Sequence, residues 1–193
     1  MPESRVLTVP NVISLLRLGL VPVFLWLVFG ANNPVGAGWM LGLIGATDWI
    51  DGYLARRLGQ VSKVGEFLDP LADRLAVAAA VIAGLVEGVL PGWFAWAIIV
   101  REVLIASGAL FVGVKAGAKL EVRRLGKAAT LLLYVSIAWF YVSVHDFRPG
   151  LVAAYVTGLP GIVAYYVVGY QYYGDARAIV SETARNDAEK VDG

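Results

Sequence analysis

Cysteine is absent from this 193-residue chain, which excludes disulfides, thiolate metal sites and thiol catalysis. Histidine occurs once, as His145, on the side opposite the acidic residues described below, so a zinc site is not expected. Charge is scarce: 16% of residues are charged against 59% hydrophobic, and the mean hydropathy is +0.70. That balance excludes an ordinary soluble globule and points to an integral membrane protein. A net charge of +1 discriminates little; its distribution discriminates more. No cleavable leader is expected, because the first apolar run follows residues 1–9 and is too long for the apolar core of a signal peptide. No internal repeat or low-complexity tract stands out.

What is present is a series of long apolar runs. A span needs about 20 mostly apolar residues, and six candidates occur, at 12–30, 38–56, 67–89, 93–114, 125–144 and 151–173. Pro34, Pro91 and Pro149 punctuate three of the connections, where helices are expected to stop. Arg57 and Lys63 mark the second-to-third connection, and Lys115, Lys119, Arg123 and Arg124 the fourth-to-fifth. Residues 31–37 and 87–92 carry no Lys or Arg, and only Arg148 marks the last short loop. The positive-inside rule then places both termini and both basic loops in the cytoplasm. The expected fold is an all-α, multi-pass protein of the cytoplasmic membrane, with six transmembrane helices over residues 1–173. Residues 174–193 form a polar cytoplasmic tail, solvated and either helical or disordered.

Against this apolar background stand four aspartates in the frame Asp48-x2-Asp51-Gly52-x2-Ala55-Arg56-x8-Gly65-x3-Asp69-x3-Asp73. Ionisable residues at membrane depth are costly and mark functional sites by default. At about 100° per residue, Asp48, Asp51, Gly52, Ala55 and Arg56 fall within a sector of roughly 140°. Gly65, Asp69 and Asp73 share another narrow face, if their helix starts near Gly65. Were the two faces to meet, four carboxylates would converge and need cations to coexist. Oxygen-only ligands favour Mg²⁺ or Mn²⁺ first, with Ca²⁺ possible. Two such ions could clamp the oxygens of a transferring phosphate. Gly52, Ala55 and Gly65 leave room for a flat group such as a nucleobase, and Arg56 offers a bidentate fork to phosphate. For a single aspartate the bland alternative is a cap, a polar lining, or a pair with Arg17 or Arg101. Four at helical spacing, with glycines on the same faces, favour a site.

The whole string from Asp48 to Asp73 resembles the signature of the CDP-alcohol phosphotransferases at every fixed position, and the six-span layout is similar too. The resemblance implies a phospholipid-synthesising transferase that moves the phosphatidyl group from CDP-diacylglycerol to an alcohol and releases CMP. It implies that Asp48, Asp51, Asp69 and Asp73 bind two Mg²⁺ or Mn²⁺ ions, and that Asp73 is also the general base for the acceptor hydroxyl. By the same resemblance, Gly52, Ala55, Arg56 and Gly65 shape the CDP-lipid pocket. Membrane lipids and a second copy of the chain are the expected partners, and nucleic acid is not.

The acceptor is less sharply marked. Pro10-Asn11-Val12-Ile13-Ser14-Leu15-Leu16-Arg17, with Pro22 after it, is similar to the opening of phosphatidylglycerophosphate synthases and their cardiolipin-synthase relatives. The bland reading is a helix cap at Asn11 or Ser14, with Arg17 reaching toward headgroups. Gly126-Lys127-Ala128-Ala129-Thr130 resembles the Gly-Lys-x-Lys-Thr segment of phosphatidylglycerophosphate synthases, but Ala129 stands where the second lysine belongs. Losing one cation weakens the case for glycerol 3-phosphate and strengthens that for monoanionic phosphatidylglycerol, which would make the enzyme a cardiolipin synthase. Arg101, Arg123, Arg124 and Lys127 are candidate acceptor-binding cations, with a plain positive-inside loop as the alternative for the last three. Arg101 and Glu102, neighbours that point about 100° apart on a helix, are expected to have separate partners.

Rival readings are an inositol-phosphate phosphatidyltransferase within the family and, outside it, a membrane prenyltransferase or an aspartate-based cation transporter. Trp39, Trp93, Trp96 and Trp139 read as interfacial belt or packing residues. Gly84 and Gly88 make a small-xxx-small spacing compatible with a homodimer.

Overall fold

The computed structural model describes residues 9–45, 63–116 and 124–191, and among them the fold is all-helical, with six helices and no strand. They are α1 (Val9–Leu25, extended by a π-helical turn, Trp26–Gly30), α2 (Pro34–Gly45), α3 (Lys63–Val86), α4 (Gly92–Ala116), α5 (Arg124–Val142) and α6 (Arg148–Val191). Each lies on one of the six apolar runs. The tail beyond residue 173 continues α6 as helix.

Three tight turns join α1 to α2, α3 to α4 and α5 to α6, each with a residue in the left-handed region: Asn32 (φ 48°), Gly88 (φ 69°) and Asp146 (φ 57°). Gly88 reverses the chain so that the Leu90 N–H donates to the Gly84 carbonyl at 2.9 Å. The three prolines expected to stop helices start them instead. Pro34 is the first residue of α2, behind Asn33, whose Oδ1 accepts from the Gly36 N–H at 2.9 Å. The Pro91 carbonyl accepts from Phe94 and Ala95 at the head of α4, and Pro149 is the second residue of α6. A first-turn N–H has no intrahelical partner to lose, so proline is tolerated there.

Tyr141 of α5 gathers the helices at the turn-bearing end. Its hydroxyl donates to the Ala80 carbonyl of α3 at 2.8 Å, and its ring meets Phe24 of α1 edge-on at 5.4 Å. The Cβ of Tyr141 lies so close to Gly38 of α2 that a methyl there would approach it to 2.8 Å and the Ala138 carbonyl to 2.9 Å. Ser136 of α5 donates to the Ala154 carbonyl of α6 at 2.7 Å, and the Tyr166 hydroxyl of α6 to the Ala97 carbonyl of α4 at 2.8 Å. Small residues at crossings and hydroxyl-to-carbonyl bonds between helices are how apolar helices associate without a hydrophobic drive.

Gly84 and Gly88 do not form a stripe for a second copy. A methyl at Gly84 would come within 2.7 Å of Leu90 Cγ and 3.1 Å of the Tyr141 hydroxyl, so the position is used inside the chain. Gly88 lies in the turn beyond the end of α3. A Gly38→Val substitution should destabilise the fold by about 1–3 kcal/mol, because its added carbons meet backbone and a Cβ that cannot swing aside. Denaturant titration in detergent would register this, and unchanged stability would contradict the described crossing of α2 and α5.

Candidate active site

α1 packs against α3, and the two run parallel. Arg17 contacts Asp73, and seven residues further along each helix Phe24 and Ala80 meet the same tyrosine. The inward side of α3 is an alanine stripe, Ala72, Ala76, Ala80 and Ala83, all buried. At 100° per residue, Gly65, Asp69 and Asp73 fall within about 60° of that stripe's centre line. Asp73 therefore sits beside the N-terminal end of the face that docks on α1. Since α3 starts at Lys63, Gly65, Asp69 and Asp73 occupy successive turns of one unbroken helix, as the spacing predicts.

On α1 the matching stripe is Arg17, Val21, Phe24 and Val28. Arg17 is only 1% exposed, and its Nη1 donates to Asp73 Oδ1 at 2.5 Å; the aspartate side chain is 37% exposed. The headgroup-seeking role considered for Arg17 is thus not what the structure shows: the guanidinium points inward. The ion pair that the sequence allowed for a single aspartate does form at Asp73. Such pairing is what permits a charged group to remain in an apolar setting.

Arg101 of α4 is 7% exposed. Its Nη1 donates to Glu102 Oε1 at 3.0 Å, and its guanidinium lies 3.5 Å above the ring of buried Tyr165 on α6. Arg101 and Glu102, expected to have separate partners, pair with each other, while Arg101 has the Tyr165 ring as a partner of its own. The side chains are long enough to fold back on each other despite the angular offset of their Cα–Cβ bonds. Ala129 is fully buried in α5, so the position lacking the second lysine faces the interior.

Asp48, Asp51, Gly52, Ala55, Arg56 and Arg123 lie outside the described residues, as do the side chains of Asp69, Arg124 and Lys127. Among the described residues no group of three potential metal ligands is brought together. Of the acidic and basic candidates, the structure thus fixes the side chains of Asp73 and Arg101. It adds Arg17, which sequence reasoning noted but left out of the site. The available signal was its i, i+4, i+7, i+11 register with Val21, Phe24 and Val28, which places it on the buried stripe.

Among the described residues the fold is helical, and on α3 Asp73 is paired with the buried Arg17 of α1. The chain belongs to the CDP-alcohol phosphatidyltransferase family, which it matches over residues 7–168. It is 39% identical over 138 residues to a cardiolipin synthase (CMP-forming) of Streptomyces coelicolor, covering 67% of this chain and 63% of that one. It is 37% identical over 131 residues to a putative cardiolipin synthase of Mycobacterium tuberculosis, covering 66% of this chain and 61% of the relative. A CDP-diacylglycerol–glycerol-3-phosphate 3-phosphatidyltransferase of Shigella flexneri is 31% identical over 185 residues, covering 88% and 95%. The chain thus spans about three fifths of the length of the cardiolipin synthases it matches and nearly all of the Shigella relative.

Tyr165→Leu removes the ring beneath the Arg101 guanidinium and should lower stability by about 1–2 kcal/mol. Glu102→Gln, at a part-exposed position, should cost less than about 1 kcal/mol. The opposite ranking in a denaturation series would mean that the ion pair, not the ring, holds Arg101.

Proposed function

We propose that the chain is a membrane-embedded phosphatidyltransferase of phospholipid synthesis, taking the phosphatidyl group from CDP-diacylglycerol to phosphatidylglycerol with release of CMP. The observation that carries this reading is the placement of Asp69 and Asp73 on consecutive turns of α3, within a family match that spans the whole aspartate frame. Membrane residence is supported by the segment Arg148–Gln171, whose length and composition suit a span. It is supported too by outward-facing Ile82, Val100, Val103, Val152, Val156 and Val163, and by exposed Trp26, Trp39 and Trp93 near the turns. α3 and α4, with 24 and 25 residues, are about 36–38 Å long, enough to cross the hydrocarbon. In this reading six helices cross the cytoplasmic membrane, and the termini and the residue-174 tail lie in the cytoplasm. The expected homodimer uses a face other than Gly84.

The donor set suits a hard divalent cation: two aspartates four residues apart on α3, with Asp73 already held by a cationic group. Asp48, Asp51, Asp69 and Asp73 would hold Mg²⁺ or Mn²⁺, which when bound supplies Lewis-acid charge to the diphosphate oxygens. Gly52, Ala55, Arg56 and Gly65 receive the cytidine and diphosphate. Asp73 takes the proton of the acceptor hydroxyl. The acceptor oxygen forms its bond to the phosphatidyl phosphorus while the bond to the bridging oxygen breaks, and CMP leaves with that oxygen. Arg101, Arg123, Arg124 and Lys127 form the cationic side of the acceptor region.

Phosphatidylglycerol is preferred as acceptor because the inward position 129 carries a methyl group rather than a second ammonium. Glycerol 3-phosphate is the second reading, favoured by the near full-length similarity to the Shigella transferase. Purified protein given CDP-diacylglycerol with phosphatidylglycerol, glycerol 3-phosphate, inositol phosphate or serine should release CMP fastest with phosphatidylglycerol. Ala129→Lys should raise use of glycerol 3-phosphate relative to the lipid. CMP release with glycerol 3-phosphate alone would reassign the acceptor, and cation flux without CMP would point to a transporter. Asp69→Asn should abolish turnover at every Mg²⁺ concentration, and retained activity would remove Asp69 from the metal site.

A further inference from the structure

Arg17 is the largest fully buried side chain among the described residues. It heads a stripe of α1 that is otherwise apolar, through Val21, Phe24 and Val28, and that stripe faces the alanines of α3. An apolar residue would fill such a position with no desolvation cost, whereas a guanidinium there is costly unless it is paired. Among its contacts is the one aspartate whose proposed role is to move a proton. We infer that Arg17 is a positioning residue, whose buried guanidinium holds the Asp73 carboxylate in the orientation from which it takes the acceptor's proton. This rests on the base role proposed above for Asp73.

Asp73 is well placed to be oriented in this way. Its side chain is 37% exposed, and a carboxylate in partial contact with water turns readily about its terminal torsion, which is broad and two-fold. A hydrogen bond to Oδ1 from a donor that is itself packed on all sides limits that freedom. The planar guanidinium makes directional bonds, unlike a lysine ammonium, which acts as a mobile point charge. Placement within a fraction of an ångström matters for proton abstraction, since a misplacement of about 1 Å costs about 100-fold in rate. The same guanidinium adds positive charge beside the carboxylates proposed to bind cations. Its loss should therefore leave divalent-ion binding intact or tighter while turnover falls. A role in stability alone would instead degrade both together.

The test uses full-length wild type, Arg17→Gln and Arg17→Lys in detergent. It measures CMP release with phosphatidylglycerol and Mn²⁺ binding by the spin-resonance signal of free Mn²⁺. Arg17→Gln should reduce kcat about 100-fold, with the KM for CDP-diacylglycerol changed less than about 3-fold and Mn²⁺ binding not weakened. Arg17→Lys, which keeps the charge but not the planar fork, should fold and fall between the two. Wild-type kcat in Arg17→Gln would overturn the inference, as would Mn²⁺ binding lost in step with turnover, or both variants failing to fold. Failure of the wild type to release CMP with any acceptor would instead overturn the proposed function and remove the inference with it.

Discussion

The seam between α1 and α3 is the constraint on which the rest of the molecule depends. Two parallel helices meet there along a buried stripe of α3 rich in alanine, and at the end of that seam the apolar contact gives way to Arg17 and Asp73. Parallel neighbours cannot be joined by a tight turn, so an intervening antiparallel helix is required. α2 supplies it, seated on α5 through Gly38. Removing one partner from a buried ion pair typically costs about 3–5 kcal/mol, and less where one group is partly in water, as Asp73 is. A charge pair of that kind is weak evidence for stability, which is why its position beside the acidic face is the more telling fact.

The two ends of the bundle have different jobs. At the end with the short turns, left-handed residues, first-turn prolines, the Tyr141 bond to α3 and close glycine contacts fix the helices to one another. Toward the other end lie the acidic face of α3 and the basic start of α5. A rigid scaffold at one end that presents polar groups at the other suits the transfer proposed here, since it holds Asp73 on a helix rather than on a loop.

The six helices were legible because long apolar runs are a strong signal, and the placement of Gly65, Asp69 and Asp73 on one helix because a four-residue spacing suits it. Other features were not. Pro34, Pro91 and Pro149 mark boundaries in sequence, but whether a proline ends or begins a helix depends on the cap beside it, here Asn33 for α2. Gly84 matched a dimer motif, yet small residues serve contacts within a chain equally well, and Leu90 and Tyr141 take that space. Arg101 and Glu102 diverge at their Cβ atoms, but flexible side chains can reconverge, and the Tyr165 ring on a helix some 60 residues away could not be foreseen from local spacing. Arg17 was ambiguous because an arginine near the start of a span reads equally as a headgroup contact. Only the neighbour across the seam decides between the two.

The central claim is that the α1–α3 seam ends in a cation-binding carboxylate cluster where the chemistry occurs. Anomalous scattering from crystals of the full-length protein grown with Mn²⁺ tests this most directly. The account predicts manganese peaks within coordinating distance of Asp69 and Asp73, shared with Asp48 and Asp51, with Arg17 still bonded to Asp73. Manganese bound elsewhere, with those four carboxylates turned to separate partners, would contradict it.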